Sequence, residues 1–376
     1  MKRFDAVVVG AGPAGSTLAW RLADAGVSVL AVDKARFPRD KPCGGGLTFR
    51  AVRQCPVDPS PVVEERVDIL ELRFRYRDAV VRHAGGAVVW MTQRRLLDAF
   101  LLDAARERGA EVVEGTAVRF GSDNTLSLSS GERVRAGVIV GADGANGMTA
   151  RAAGLGGAIA YGVAFEGNVP YGTLSRERYE RRAVIEFADI PGGYGWVFPK
   201  GDHANVGVGC WQSEGPRIRE HLARLCEAHG LDPEALESLR GHRLPMRRPG
   251  MRIAGERVLL VGDAAGLLDP ASGDGMYECF VSSKLASTAI LDLLVGRSST
   301  LLPYAAAVDD ALAPLHRASW KLKKAMDRWP RLAWRVARTK LFWVSIQSMI
   351  EGDLASPGEQ RGIARVPLRV LDMLGS

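Results

Sequence analysis

Residues 4–15 read FDAVVVGAGPAG, in which a short apolar run is followed at once by a glycine-rich turn. A helical pattern continues to residue 25, Gly26 ends it, and a second apolar run at 27–32 (VSVLAV) leads into Asp33. This order of strand, glycine turn, helix, strand and acid is typical of a βαβ unit that binds a dinucleotide. A glycine-rich turn without a ligand is the alternative, and the complete context argues against it. The stretch therefore predicts a Rossmann-type α/β domain.

Each residue of this turn has a physical role. Gly10 permits the tight turn, Gly12 lets the backbone approach a pyrophosphate, and Gly15 lets the helix pack closely on the strand. Pro13 suits the first helical turn, where its missing N–H is not needed. The helix N-terminus then faces the phosphates. Asp33, 18 residues after Gly15, is placed to bind a ribose hydroxyl.

Two later segments bear on the identity of the dinucleotide. Residues 133–144 (RVRAGVIVGADG) have the pattern of a strand that ends in Asp143. Residues 256–266 (ERVLLVGDAAG) have the pattern of another strand, which delivers Asp263 to a glycine-rich helix start. An aspartate at that position can accept hydrogen bonds from the hydroxyl groups of a sugar chain. Because this segment lies far along the chain from the glycine turn at 10–15, we expect it to contact a second part of the same long ligand.

The predicted helix at 276–296 begins directly after Gly273 and Gly275, whose backbone N–H groups can interact with an electron-rich ring. NAD would not need this distant element, whereas FAD, with its ribityl chain and isoalloxazine ring, would. FAD is therefore the predicted cofactor. No second GxGxxG occurs in a strand–turn–helix setting, so we expect a reductant that docks transiently, and NAD(P)H and ferredoxin both remain open.

The motifs together resemble a known family. GAGPAG, the RxxxD pattern at 94–98, GADG at 141–144 and GDAAGLLDPASGDGM at 262–276 resemble the FAD-binding signatures of the para-hydroxybenzoate hydroxylase superfamily. Within that superfamily, FPRDKPCGGGL at 37–47 and YGWVFPK at 194–200 are similar to the geranylgeranyl reductase family. The resemblance covers most of the chain and keeps the order of the motifs.

The resemblance implies a role for several residues. Arg94 would lie near the phosphate–ribose region of FAD, Asp263 on the ribityl chain, and residues 270–275 beneath the flavin ring. The chain departs from the family at two positions, Asp269, where asparagine is frequent, and Lys284, where a small residue is commoner. The predicted FAD-binding residues are Gly10, Gly12, Pro13, Ala14, Gly15, Asp33, Lys34, Lys41, Cys43, Gly44, Gly45, Arg94, Asp143, Gly262, Asp263, Pro270, Gly273, Gly275 and Met276.

The stretch PRDKPCGGGL at 38–47 is predicted to run from the adenine half of FAD towards the flavin ring. Consecutive glycines let another molecule approach the backbone closely, and a flexible surface loop is the alternative. Cys43 and Gly45 are predicted catalytic residues, with Cys43 as a proton donor or a redox modulator. The alternative for Cys43 is a small apolar packing residue, a role that free cysteine often has.

The strand pattern YGWVFPK alternates aromatic side chains with Gly and Val, so the aromatic side chains share one face. Tyr194, Trp196 and Phe198 are predicted to form the wall of an apolar tunnel for an elongated substrate, and Tyr194 and Trp196 are also predicted catalytic residues. A face packed in the sheet core is the alternative. Pro199 is grouped with the substrate residues and is expected to end the strand, since it cannot donate to the ladder.

The FAD-binding domain is predicted to be split in sequence, with an antiparallel substrate sheet between its parts. Strand patterns of that sheet include residues 88–91, and the helix-rich segment 214–240 is expected to pack on it. The predicted parts are 1–70, 92–158 and 247–300 for the FAD-binding domain, 71–91 and 159–246 for the substrate sheet, and 301–376 for a C-terminal helical region.

Composition narrows the class of protein further. The five cysteines at 43, 55, 210, 226 and 279 form no CxxC pair, which argues against a zinc site or a disulfide framework and favours a reducing cytoplasm. His221, His229 and His242 lack metal-ligand spacing and are interpreted as surface or packing residues, so no metal is predicted. The net charge of +7 makes nucleic acid a partner to consider, but the sequence shows no motif that recognises RNA or DNA.

Positive charge is concentrated near the C-terminus. Residues 316–340 contain nine Lys or Arg and one acid, and four of the eight tryptophans lie between 320 and 343. A basic amphipathic helix with tryptophans at its margins suits peripheral contact with the inner face of an anionic membrane. A helix packed on the protein with a solvated basic face is the alternative.

The predicted function is an FAD-dependent reductase that saturates carbon–carbon double bonds of an isoprenoid by hydride transfer. An isolated alkene is a poor hydride acceptor, so close alignment in a dry site must supply much of the acceleration. A flavin monooxygenase or halogenase of an aromatic substrate is one alternative. A non-catalytic, redox-sensing flavoprotein that binds a membrane or a partner is another.

Overall fold

The computed structural model describes residues 1–187 and 190–376. The strands within those residues, in chain order, are β1 Lys2–Val9, β2 Val29–Val32, β3 Gly46–Thr48, β4 Glu65–Val67, β5 Ile69–Phe74, β6 Asp78–His83, β7 Val89–Met91, β8 Glu111–Val113, β9 Val118–Phe120, β10 Thr125–Leu128, β11 Arg133–Gly141, β12 Ile159–Pro170, β13 Arg182–Phe187, β14 Tyr194–Pro199, β15 His203–Trp211, β16 Glu237–Arg247 and β17 Val258–Leu260.

The α-helices lie between and after these strands. They are α1 Pro13–Asp24, α2 Phe49–Gln54, α3 Arg94–Glu107, α4 Thr149–Ala152, α5 Arg176–Tyr179, α6 Ile218–Ala228, α7 Met276–Leu294, α8 Pro303–Arg328, α9 Pro330–Ala337, α10 Lys340–Glu351 and α11 Arg365–Leu374. None of these helices is long and apolar enough to cross a bilayer.

The first sheet has the Rossmann arrangement predicted from the glycine turn. Strands β8, β2, β1 and β11 lie side by side and parallel, and β17 runs parallel beside β11. The antiparallel strands β10 and β9 extend the sheet from the start of β11. Leu18 and Leu22 of α1 and Ile290 of α7 are fully buried in the core on one face of this sheet. The predicted fold class is confirmed.

The second sheet carries the strands expected to face the substrate. Its order is β16-β12-β15-β14-β13-β5-β6. Every pair in it is antiparallel except β5 with β13, which is parallel, so the sheet is mixed rather than purely antiparallel. Between β5 and β13 the chain passes through most of the first sheet, and a connection of that length permits parallel pairing.

One face of the second sheet packs on α6. Val197 of β14 lies in one buried cluster with Leu222 and Leu225 of that helix. The helical prediction for residues 214–240 is therefore right over α6 and wrong at its end, because β16 begins at Glu237. The opposite face of the sheet, which carries the aromatic side chains of β14, is turned towards the first sheet.

Strands β3, β7 and β4 form a small separate sheet. The prediction that residues 88–91 join the substrate sheet is wrong, because β7 pairs with β3 and β4 instead. In this small sheet Gly46 is opposite Met91, so the sheet fixes the point where the glycine-rich stretch at 38–47 returns to regular structure.

The C-terminal helices pack on the rest of the protein. Trp320 stacks on Trp211 with ring centroids 6.1 Å apart, and Trp334 stacks on Phe74 with centroids 5.4 Å apart. Trp329, at the break between α8 and α9, is 48% exposed. The tryptophans of this region therefore divide between packing on the body and facing solvent.

Candidate active site

A cavity of about 850 Å³ lies between the carboxyl ends of the parallel strands and the aromatic face of the second sheet. Side chains of α8 and α10 complete its wall. The predicted site residues that line it are Gly10, Gly12, Pro13, Ala14, Asp33, Lys34, Lys41, Cys43, Gly44, Gly45, Arg94, Asp143, Tyr194, Trp196, Phe198, Asp263, Pro270, Gly273, Gly275 and Met276.

Three predicted site residues lie behind this lining rather than on it. A Cβ atom on Gly15 would be 1.9 Å from the Gly10 carbonyl oxygen, so Gly15 serves the packing of α1 on β1. Gly262 has a φ of +55° and a hypothetical Cβ would meet the Cys279 sulfur at 2.9 Å. Pro199 is the buried last residue of β14, which agrees with its predicted role in ending the strand.

Two guanidinium groups lie beside the N-terminus of α1. Arg94 makes a bidentate pair with Asp98, at 2.6 and 2.7 Å, and Arg39 contacts the same carboxylate at 3.1 Å. Burial alone would lower the pKa of Arg94, but Asp98 outweighs it and raises that pKa, so the guanidinium stays charged. A Cβ on Gly12 would lie 3.4 Å from Arg39 and 3.9 Å from Arg94. The helix terminus and two cations together suit a diphosphate.

Two aspartates follow strands of the first sheet at the cavity. Asp33 accepts hydrogen bonds from Ala11 N and Ala35 N, both at 2.8 Å, and so holds the glycine turn against the end of β2. Asp143 accepts from the backbone and side chain of Thr149 through Oδ2. Its buried Oδ1 has no hydrogen-bond partner among the described residues. Asp143 thus has a free acceptor beside the cavity.

Asp263 lies between Lys41, which was predicted as a site residue, and His242, which was not. Lys41 Nζ is 3.4 Å and His242 Nε2 is 3.7 Å from Asp263 Oδ2. Burial alone would raise the pKa of Asp263, but Lys41 and His242 outweigh it and hold that pKa well below its usual range. The interpretation of His242 as a surface or packing residue is wrong, because β16 brings its side chain into the cavity wall. Local spacing gives no signal for this contact between the two sheets.

The structure accounts for both departures from the family pattern, Asp269 in the turn at 269–275 and Lys284 on α7. Asp269 accepts hydrogen bonds from the backbone and hydroxyl of Ser272 through Oδ1, and from the Ser319 hydroxyl of α8 through Oδ2. Tyr194 donates its hydroxyl hydrogen to the Ser272 carbonyl oxygen. The aspartate therefore caps the turn and fastens it to α8. Lys284 lies on the exposed side of α7, away from the cavity.

The PCGGG segment at 42–46 is held by two buried charged side chains of the second sheet. Glu166 Oε1 accepts a hydrogen bond of 2.6 Å from Cys43 N. Lys200 Nζ donates to the Gly44 carbonyl oxygen at 2.6 Å and to the Thr92 carbonyl oxygen at 3.0 Å. These contacts exclude the alternative of a loose surface loop.

Glycine is required in this segment by close neighbours. Gly45 has a φ of +68°, and a Cβ there would lie 2.0 Å from the Thr92 carbonyl oxygen and 2.5 Å from Lys200 Nζ. A Cβ on Gly44 would lie 3.0 Å from the Phe198 ring. The segment therefore lies directly against the aromatic wall, with Cys43 on the cavity lining.

Sequence reasoning missed the two residues that hold this segment. Glu166 is 8% exposed, and burial raises its pKa to about 6 against the opposing Cys43 N–H. Lys200 is 2% exposed, and burial lowers its pKa to about 8. A lysine directly after a strand-ending proline is a weak signal, and an acid within β12 gives none by itself. Buried ionisable groups with shifted pKa values are typical of functional sites.

The aromatic side chains of β14 face the cavity rather than the sheet core. Tyr194 and Trp196 have ring centroids 6.1 Å apart, and Trp196 and Phe198 have centroids 6.2 Å apart. The Trp196 N–H donates to Asn205 Oδ1 at 2.7 Å, so its one polar atom is satisfied inside the sheet. The three rings thus form a continuous apolar wall, as the alternation predicted. Their roles towards a substrate stay predictions.

The fold and the dinucleotide-binding turn define an FAD-dependent oxidoreductase, and a family model for the FAD binding domain matches residues 3–278. Geranylgeranyl diphosphate reductase from Oryza sativa subsp. japonica chloroplasts is 32% identical over 352 residues, which cover 87% of this chain and 74% of that protein. Digeranylgeranylglycerophospholipid reductase 1 of Methanopyrus kandleri is 31% identical over 326 residues, which cover 77% and 81%. This chain belongs to the geranylgeranyl reductase family.

The solved structures agree on the architecture. The crystal structure of a geranylgeranyl bacteriochlorophyll reductase-like protein from Thermoplasma acidophilum superposes with a TM-score of 0.82 at 22% identity, covering 94% of this chain and 98% of that one. At that identity the likeness shows the fold alone. The predictions of the family, of FAD as cofactor and of an FAD-dependent oxidoreductase are confirmed.

Proposed function

We propose that this protein uses reduced FAD to saturate carbon–carbon double bonds of an isoprenoid chain of the geranylgeranyl type. The cavity is the observation that carries the proposal, because its nucleotide-binding end continues into a space walled by Trp196 and Phe198. Leu322 of α8 and Phe342 of α10 line the same cavity. An apolar, elongated chain is the kind of ligand that such a wall selects.

The residues of the first sheet would hold FAD along its length. Gly12 and the guanidinium groups of Arg39 and Arg94 suit the diphosphate, and Asp33 suits the adenosine ribose. Asp263, kept ionised by its neighbours, suits the ribityl hydroxyls. The turn at 270–275 would lie beneath the flavin ring. The unsatisfied Oδ1 of Asp143 supports a bound group at this edge.

Bound FAD, once reduced, supplies a hydride to one alkene carbon, and the other carbon must receive a proton. The chain contributes alignment and the exclusion of water, which an isolated alkene needs most. Cys43 and Gly45 would lie at the reacting centre, since the PCGGG segment touches the aromatic wall there. Tyr194, Trp196 and Phe198 would orient the chain, with Pro199 fixing the end of the strand that carries them.

Oxygen dependence separates this function from a flavin monooxygenase or halogenase of an aromatic substrate. We expect the reduced protein to be reoxidised by a prenyl lipid without oxygen, and NAD(P)H with a phenol to cause little oxygen uptake beyond the uncoupled rate. Phenol-dependent oxygen uptake, together with no anaerobic reoxidation by any prenyl lipid, would favour the alternative. A flavin that exchanges electrons with neither substrate would indicate the non-catalytic flavoprotein.

The same proposal includes contact with an anionic lipid surface. Arg331, Leu332 and Arg335 are exposed on one face of α9, with Arg328 and Trp329 exposed just before it. The opposite face of α9 buries Ala333, Trp334 and Ala337. A short helix that shows solvent both cations and apolar side chains suits the interface of an anionic bilayer. Its neighbours α8 and α10 line the cavity, which would place a lipid source close to the substrate space.

A further inference from the structure

The cavity face of the second sheet is apolar along most of its extent and carries one carboxyl group. Alternation along β12 places Gly162, Ala164 and Glu166 on the same face, and all three line the cavity. Within residues 1–187 and 190–376, Glu166 is the one acidic residue that the strands of this sheet contribute to the lining. Two small residues therefore leave room for a chain that runs along the sheet towards this acid.

Glu166 lies next to the aromatic wall and the predicted reacting centre. A Cβ on Gly207 would be 2.2 Å from the Trp196 ring and 2.8 Å from the Glu166 Cβ, so the two side chains border the same glycine. On the other side, Glu166 Oε1 accepts the 2.6 Å hydrogen bond from Cys43 N. This hydrogen bond fixes one carboxyl oxygen against the PCGGG segment.

We propose that Glu166 is the acid that gives the isoprenoid alkene its proton. The inference rests on the proposed function and adds a catalytic residue to it. In the step, the Glu166 O–H bond breaks and a C–H bond forms at one alkene carbon, while the hydride from reduced FAD forms the C–H bond at the other. The alkene is reduced, FAD is oxidised, and the carboxylate regains its proton from water.

The surroundings of Glu166 suit both protonation states. Burial raises its pKa to about 6, with opposing effects of the Cys43 N–H, the Lys200 ammonium and the Asn205 amide. Asp40 adds negative charge that raises the pKa further. Lys200 and the Cys43 N–H would stabilise the carboxylate that remains after proton transfer.

Two side chains of β16, the strand that pairs with β12 beside Glu166, already have charged partners. Arg240, the residue opposite Glu166 on β16, binds Asp40 at 2.6 Å. His242, two residues further along β16, faces Asp263. Because the pKa is near 6, the protonated fraction of Glu166 falls as the pH rises through that value, and proton delivery should fall with it.

The test compares Glu166→Gln with Glu166→Asp and Cys43→Ala. The glutamine keeps an oxygen that accepts from Cys43 N but carries no acidic proton. We expect anaerobic reoxidation of the reduced flavin by a prenyl lipid to slow by about 10²–10⁴-fold in E166Q, the usual contribution of a general acid. The rate in E166Q should also no longer decline above pH 6. In E166D we expect part of the rate and part of its decline above pH 6 to return. Cys43→Ala keeps the backbone N–H, and its loss of rate should be smaller.

Three further measurements separate the chemistry of Glu166 from an effect on folding. E166Q should bind FAD as tightly as the wild type, and its reduced flavin should be oxidised by ferricyanide at the wild-type rate. Infrared difference spectra of the wild type should show a carboxyl band that titrates near pH 6 and is absent in E166Q.

The outcomes distinguish this inference from the proposed function. An active wild type with an E166Q variant of the same rate and pH profile would overturn the inference alone, as would a rate lost in C43A and kept in E166Q. A wild type that reduces no prenyl lipid would overturn both.

Discussion

The two glycine-rich segments at the cavity are built in different ways. The turn at 10–15 is held within its own βαβ unit, by the hydrogen bond from Gly10 N to the Val32 carbonyl oxygen and by Asp33. The PCGGG segment at 42–46 is held from another sheet, by side chains 123 and 156 residues away along the chain. Both of those side chains are buried, with pKa values of about 6 and about 8.

This difference has a functional meaning. The turn at 10–15 is the proposed diphosphate-binding turn, and its contacts come from within its own βαβ unit. The PCGGG segment is joined to the second sheet through two ionisable groups, Glu166 and Lys200, and would couple the proposed cofactor site to the proposed substrate site. We therefore expect damage to the first segment to abolish FAD binding, and damage to the second to impair chemistry while FAD remains bound.

The largest effect should come from Gly15→Val. A side chain there would start 1.9 Å from the Gly10 carbonyl oxygen, so α1 must move off β1. We expect a loss of about 3 kcal/mol of stability, the upper end of the usual cost of overpacking because backbone cannot easily give way, and purified protein without flavin absorbance. Gly86→Ala is the matched control, because no atom lies within 4 Å of a Cβ at that exposed position. A flavin-loaded G15V protein would contradict the account of this turn.

The contrast also explains what the sequence could predict. Gly10, Gly15 and Asp33 are close along the chain, so the Rossmann unit could be predicted from motif and spacing, and the separate motif at 262–276 indicated FAD. The alternation of β14 likewise gave the aromatic wall, because a strand has a fixed period of two.

The remaining features depend on contacts between distant strands. Glu166 and His242 line the cavity, and Lys200 reaches the PCGGG segment, only because β12, β14 and β16 are neighbours or near neighbours in one sheet. No local pattern sets that order, and residues 88–91 were assigned to the wrong sheet for the same reason. The packing of Trp320 and Trp334 on the body is also invisible in an amphipathic pattern, which shows the faces of a helix but not what covers them.

A smaller effect is expected from Lys200→Met, which removes one of the two side chains that hold the PCGGG segment. The substitution leaves the carbonyl oxygens of Gly44 and Thr92 buried without this donor. Each unsatisfied acceptor costs about 1–3 kcal/mol, so the free energy of unfolding should fall by a few kcal/mol. FAD should still bind, and anaerobic reoxidation by a prenyl lipid should slow. Lys340→Met, at an exposed position, should stay within about 0.5 kcal/mol of the wild type. Loss of FAD in K200M would show that the two segments are not separable.

The next effect is smaller than that of Lys200→Met. It is the contribution of Glu166 to the pH dependence of the free energy of unfolding. Its folded pKa of about 6 lies above the ordinary value of 4.5, so the folded protein holds a proton that the unfolded chain releases between those values. The free energy of unfolding should therefore fall by about 2 kcal/mol as the pH rises through this window. Denaturant titrations of the wild type and E166Q between pH 4 and 7 measure it, and E166Q should lack this component. Parallel curves for the two proteins would contradict the pKa and its cause.

The smallest effect is expected at the exposed face of α9. Arg331→Glu and Arg335→Glu should each weaken binding to anionic vesicles, at about 1 kcal/mol or roughly fivefold per lost cation. Reduction of a water-soluble prenyl diphosphate should not change. Arg133→Glu, on an exposed strand end of the first sheet, serves as the control. Equal binding of the wild type to neutral vesicles, or binding that high salt does not weaken, would remove the proposed lipid contact.

Mass spectrometry of a prenyl lipid incubated anaerobically with the dithionite-reduced protein tests the central claim most directly. The account predicts a gain of two hydrogens for each saturated double bond, with one equivalent of flavin reoxidised for each gain. Gly15→Val should give no product, and Lys200→Met should give product slowly while retaining flavin. An unchanged lipid in the presence of fully reduced, FAD-loaded wild-type protein would contradict the account.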